Sequence, residues 1–170
     1  MGHDAAGLGF GNLELQNFKT YKKVEMKATT WFRITAVLML LFAAGHTFGF
    51  LSFRATTDEG RAVFDAMNRV HFSEGHSTFS YGEFYRGFGL SITVSQLFFA
   101  WLAWTLAWMS KEGAAGVKDI AWGMVVLQLV GVLLSAKYFA TIPALFSLMA
   151  AGCFAMGAMS VRKSIAAVAR

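Results

Sequence analysis

The sequence predicts an all-α membrane protein, an up-down four-transmembrane-helix bundle with an amphipathic outer-side helix between spans one and two. Three observations carry this. Ile34–Phe53, Gly87–Ser110, Ile120–Ala136 and Tyr138–Val161 contain no Asp, Glu, Lys or Arg. Each is close to the roughly 20 helical residues that cross a hydrocarbon core of about 30 Å. The chain is 56% hydrophobic and only 15% charged, too little charge to cover a soluble domain, and the apolar excess lies in these stretches.

Residues 1–30 form a cytoplasmic N-terminal segment, partly amphipathic. Leu8, Phe10, Leu13, Leu15, Phe18 and Tyr21 are spread among polar residues there, a pattern suited to docking on a partner or a membrane surface. Polar and mixed residues precede Ile34, so no cleavable signal is expected and span one is expected to be retained. The transmembrane domain is expected over residues 31–165, with spans at about 31–53, 80–110, 118–137 and 141–162 and an outer connection at 54–79. Residues 166–170 form a cytoplasmic tail.

The outer connection is too long for a turn. Thr56-Thr57-Asp58-Glu59 reads as a capping box. A helix over Thr57–His71 would put Val63, Met67, Val70 and His71 on one face. Phe72–Phe79 reads as a loop, and Ser80-Tyr81-Gly82-Glu83 as a second capping box that opens span two. The short link Lys111–Asp119 and a tight turn after span three make consecutive spans antiparallel neighbours. Pro143 suits the first turn of span four. Gly45/Gly49, Ala103/Ala107, Gly131/Ser135 and Ala151/Ala155 are small-residue pairs at which helix backbones can approach. The chain shows neither the matched halves nor the broken helices of an inverted-repeat transporter.

Basic residues set the orientation. Lys19, Lys22, Lys23, Lys27 and Arg33 precede span one, Lys111 and Lys118 lie between spans two and three, and Arg162, Lys163 and Arg170 follow span four. The connection between spans one and two is mixed in charge. Both termini are therefore expected in the cytoplasm, in a bacterial cytoplasmic (inner) membrane. Trp31, Trp108 and Trp122 fall at the cytoplasmic ends, as in an aromatic belt. The net charge of +5 follows from this loop bias and does not call for nucleic acid.

Composition also narrows the chemistry. A single cysteine, Cys153, disfavours thiol redox catalysis. One deep histidine disfavours bis-histidine haem ligation, and spans without carboxylates disfavour proton or ion transport. No cofactor is identified.

That histidine, His46, lies about 20 Å along the helix from Arg33, in the outer half of the bilayer. It is a general acid/base or a hydrogen-bond donor to a buried ligand, or else a side chain bonded to a carbonyl or glutamine across the bundle. Gln96 and Gln128 lie near mid-membrane on spans two and three, either lining a pocket with His46 or joining helices. Trp101 and Trp104, on one face with Trp108, form a ligand-stacking wall or contact lipid. His71, Glu74, His76 and Glu83 are metal-ligating residue types, but the histidines are five apart around Gly75 and do not form the helical H-E-x-x-H pattern. A solvated loop with local salt bridges is the plainer reading of that cluster.

Gly45-His46-Thr47-Phe48-Gly49, followed by Phe84-Tyr85-Arg86-Gly87-Phe88-Gly89-Leu90, resembles a largely uncharacterised family of small bacterial four-span integral membrane proteins. Its marks are a Gly-His pair late in span one and Phe-Tyr-x-Gly-Phe opening span two. The resemblance covers roughly Trp31 to Leu106. Ser80-Tyr81-Gly82-Glu83 departs from the Thr-Leu-Trp-Asp type expected there. The resemblance implies the four-span architecture and adds weight to His46 and Arg86, but supplies no reaction.

The expected function is binding of a hydrophobic small molecule (lipid, isoprenoid or quinone) in the outer half of the bundle. His46, Arg86, Gln96 and Gln128 would make the polar contacts, and His46 could extend this to base catalysis. Whether the protein is an enzyme stays open at this point. The alternative is a non-catalytic accessory or structural subunit of a larger membrane complex. Expected partners are membrane lipids, and other subunits or a second copy of the chain.

Overall fold

The computed structural model describes residues 26–161. The expected N-terminal amphipathic segment and C-terminal basic tail lie largely outside these residues. The described elements are α1 (Ala28–Ser52), α2 (Asp58–Arg69), β1 (His71–Glu74), β2 (Ser77–Ser80), α3 (Tyr81–Lys111), α4 (Val117–Tyr138) and α5 (Thr141–Ser160). Helices α1, α3, α4 and α5 are long and apolar enough to cross a membrane, which makes this a multi-pass helical membrane protein. Their bounds fall within about three residues of those expected, because a charge-free window is the main determinant of a span.

Helix α1 lies at the centre, antiparallel to α3 on one side and α5 on the other. The Thr29 and Ser110 hydroxyls bond at 3.1 Å at one end of the α1–α3 seam, and Thr47 and Thr93 bond at 2.8 Å toward the other. Against α5, Phe32 meets Phe154 and Phe42 stacks on Phe146 at 5.3 Å. Helix α4 packs along α5, with Gly131 against Ser147. Helices α3 and α4 were expected as close neighbours, yet their contacts are sparse.

The densest core lies at the end where α1 begins and α3 joins α4. Phe32 and Phe154 are fully buried there with Ala36, Ala103, Leu106, Ala121 and Ala158. Small residues at these positions let the backbones close on the two phenyl rings. Gly157 is such a position, since a Cβ there would collide with the Phe32 ring. Ala103, Ala107 and Ala151 are buried as their spacing suggests. Gly45 and Gly49 differ from expectation: both are exposed, and a Cβ at either would meet nothing.

The opposite end carries a cap built from α2 and a two-stranded hairpin. Thr57, not Thr56, caps α2, its hydroxyl accepting from the Gly60 N–H at 3.1 Å. The helix stops at Arg69, and its packed residues are Phe64 and Met67; Val63 and Val70 are 58% and 51% exposed. This rotation follows from α2 crossing α3 at Gly82, where Asn68 sits against the bare backbone, with Phe64 against Phe53 and Tyr85. The segment expected as a loop is an antiparallel hairpin pairing His71 with Ser80 and Phe72 with Phe79. Gly75 at φ +61° supplies the tight turn. Phe72 pins the hairpin onto Tyr81 and Phe84. The Ser80 capping box forms as read: Ser80 accepts from the Glu83 N–H, and the Glu83 carboxylate accepts from the Ser80 N–H at 2.7 Å.

Gly157→Val should lower stability in detergent by about 1–3 kcal/mol through overpacking. Gly152→Val, on an open face of the same helix, should change it by less than about 0.5 kcal/mol. Parallel thermal or denaturant melts check the difference.

Candidate functional site

The cap end holds the functional candidates. Phe42, His46 and Phe50 recur every four residues on α1 and so share one side of it. They form part of a continuous series of rings. Phe146 stacks on Phe42, and Phe42 meets His46 edge-on at 6.1 Å. His46 stacks on Phe50 at 5.8 Å with an interplanar angle of 11°. Phe50 touches Tyr85 at 5.3 Å, and Tyr85 touches Phe64 of the cap.

His46 Nε2 lies 3.0 Å from the Gly89 carbonyl oxygen of α3. A carbonyl can only accept, so Nε2 carries a proton and donates it. Gly89 makes the approach feasible, because a Cβ there would collide with the Phe50 ring. The neighbouring residue Thr47 donates to the Ala43 carbonyl at 2.8 Å and bonds Thr93 at 2.8 Å. Consecutive residues of α1 thus make two polar contacts to α3 within one turn. In hydrocarbon such groups have no water to bond, so both contacts lock the register of the seam.

Two cavities flank this seam. The first is an apolar groove of about 630 Å³ between α1 and α3, walled by Leu40, Ala43, Ala44, Phe48, Leu51 and Leu97, with the Thr47–Thr93 pair lining it too. The second, of about 420 Å³, lies under α2 where α1 ends and α3 begins. Arg54, Arg61, Arg86 and Asp65 line it, together with Phe50, Phe64, Tyr85 and Asn68. Leu51 lines both. The first is a shallow groove, largely open along its length, and the second is about half enclosed.

The pocket expected from His46, Gln96 and Gln128 does not match either cavity, since none of the three lines them. Gln128 is buried and its amide donates to the Met39 sulfur at 3.7 Å, a contact between α4 and α1. The Gln96 Oε1 is buried without a hydrogen-bond partner among the described residues. Trp101 and Trp104 do not form a wall of either cavity. They are 60% and 56% exposed on the apolar surface, and Trp104 carries the Arg33 guanidinium at 5.6 Å. A one-sided tryptophan stripe in a membrane helix cannot by itself say whether it faces lipid or ligand.

His71, Glu74, His76 and Glu83 are not gathered. His71 Nδ1 bonds the Arg69 carbonyl at 2.8 Å, His76 sits in the hairpin turn, and the Glu83 carboxylate is held by Ser80. No group of three or more His, Cys, Asp or Glu side chains placed to hold a metal occurs among the described residues. Arg86 is the sequence candidate that the fold places in a cavity. Arg54, Arg61 and Asp65 were missed, because the end of α1, the start of α2 and the start of α3 meet there only through the fold of the cap. The basic residue ending span one was the available signal for Arg54.

No family model, no curated protein and no solved structure matches the chain. The site therefore rests on its own geometry.

A double-mutant cycle on Thr47→Val and Thr93→Val should give a coupling of about 0.6 kcal/mol and no more than about 1.7 kcal/mol, as for hydroxyl contacts between membrane helices. Reversible unfolding in mixed micelles reads it.

Proposed function

We propose that this is a bacterial inner-membrane protein that binds a hydrophobic small molecule, of the lipid, isoprenoid or quinone class, in the half of the bundle beneath the cap. Both termini face the cytoplasm and the cap faces outward. The groove between α1 and α3 carries the reading: about 630 Å³ of apolar space lined by Leu40, Ala44, Phe48 and Leu97. Its small residues, Ala43 and Ala44, leave a trough where larger side chains would fill the space. An apolar chain lying along it would gain dispersion contacts with its floor.

His46 enters this reading as a pin of the seam. Its Nε2 proton is committed to Gly89, and Phe42 and Phe50 flank the ring. That bond holds two helices in register, and the function proposed is binding, with no catalytic step assigned to the ring. The accessory-subunit alternative predicts a stoichiometric foreign subunit on native purification, and the binding reading predicts a stoichiometric small apolar molecule.

Protein extracted directly from membranes should carry such a molecule by mass spectrometry. Ala44→Trp fills the groove from an exposed position and should remove it at least about tenfold, the loss expected when a well-packed apolar contact of some 1.4 kcal/mol or more is lost. Equal recovery from both proteins would sink the proposal.

The orientation has its own test. In a Cys153→Ala background, His76→Cys in the hairpin turn should react with a membrane-impermeant maleimide on intact cells. Glu112→Cys, in the link between α3 and α4, should react only after permeabilisation. The reverse pattern would invert the topology.

A further inference from the structure

We infer that the groove's ligand is an amphiphile with a phosphate-bearing head, the head held by Arg54, Arg61 and Arg86 beneath α2 and the chain lying between α1 and α3. This deepens the binding reading and rests on it. Leu51 lines both the groove and the arginine pocket, so one elongated molecule can occupy the two. Three arginines and one carboxylate, Asp65, line the pocket, and the Arg61 guanidinium also donates to the Thr56 carbonyl. Arg61 pairs with Asp58 on its own helix. Among the described residues, Arg54 and Arg86 form no salt bridge.

Their positions are fixed by the fold. The Arg54 guanidinium donates to the Leu51 and Phe53 carbonyls at 3.3 and 2.9 Å, which holds it at the end of α1. Arg86 projects from the second turn of α3, one residue after Tyr85, whose ring packs on Phe50 and Phe64. A guanidinium presents a planar fork of donors that matches the oxygens of a phosphate. A phosphate also has more acceptor oxygens than a carboxylate, which suits several forks converging from three segments. Arginines that only snorkel to an interface spread outward into water. Here the three, though exposed, line one cavity beside α2, and Asn68 and Tyr85 add hydrogen-bonding groups to it. The pocket lies at the membrane-surface end of the groove, the depth at which a lipid head sits.

The test titrates the full chain in neutral-detergent micelles with dioleoyl phosphatidic acid and with dioleoylglycerol, which share chains and differ in the phosphate. Native mass spectrometry counts the bound lipid. Wild type should prefer phosphatidic acid by about tenfold or more, the scale of one charge-assisted contact. Arg54→Gln and Arg86→Gln, each checked by thermal melt, should each cut that preference several-fold. Equal binding of the two lipids by wild type overturns the head assignment and leaves the groove reading standing, and that comparison needs no variant to fold. Phosphatidic acid binding unaffected by Ala44→Trp overturns the groove reading instead. Displacement of phosphatidic acid by millimolar inorganic phosphate as effectively as by the lipid itself would make this a free-phosphate site and also overturn the proposal.

Discussion

Helices in hydrocarbon gain nothing by hiding apolar surface from lipid that is equally apolar, so the structure depends on how closely α1 and α3 can approach. The seam between them is closed by hydroxyl pairs near its two ends, Thr29–Ser110 and Thr47–Thr93, with the His46–Gly89 bond one residue away from the second. Each contact has few alternatives at its depth, and a slip of α3 by one residue would separate all three. The aromatic series from Phe146 to Phe64 needs this register, since His46 and Phe50 supply its middle rings. The groove and the arginine pocket lie beside the same seam. A shift there would alter the core, the cap and both cavities together.

Much of the architecture was legible because bilayer crossing imposes a crude and strong rule on composition. Charge-free windows located four helices, Ser80 and Glu83 marked where α3 begins, and Pro143 fell in the first turn of α5. Lateral arrangement was not legible. Faces that meet other helices and faces that meet lipid are both apolar, so nothing in α3 announces that it packs on α1 and scarcely on α4. Gly45 and Gly49 looked like a contact pair and lie open, while Gly89 and Gly157 make the close approaches. The hairpin was hidden for another reason. Each strand is only four residues long, and each supplies one large apolar anchor, Phe72 or Phe79, too little for an alternating pattern to show.

The site was legible in part. His46 stood out because a polar ring among apolar residues must find a partner, but sequence could not choose between a ligand and the Gly89 carbonyl. Gln128 stood out equally and turned out to hold α4 to α1 through Met39. Arg86 was noticed for its place in an aromatic-glycine string. Its companions Arg54 and Arg61 belong to the end of one helix and the start of another, and only the fold of the cap brings the three to one cavity. A cavity assembled from separate elements leaves no local motif, whereas a cap or a turn is local and can be read.

The central place of α1 also has a temporal side. It leaves the ribosome before each of the helices it packs against. Thr47 precedes its partner Thr93 by 46 residues, and His46 precedes Gly89 by 43. At synthesis rates of about 5–20 residues per second, that gap lasts on the order of 2–10 s. During this interval α1 must sit in the bilayer or the insertion machinery with its histidine unsatisfied across the helix. Thr47 is sheltered meanwhile by its bond to the Ala43 carbonyl within α1 itself. The helix that organises the finished bundle is thus the one that waits longest for its partners, and its own backbone supplies part of what it needs while waiting.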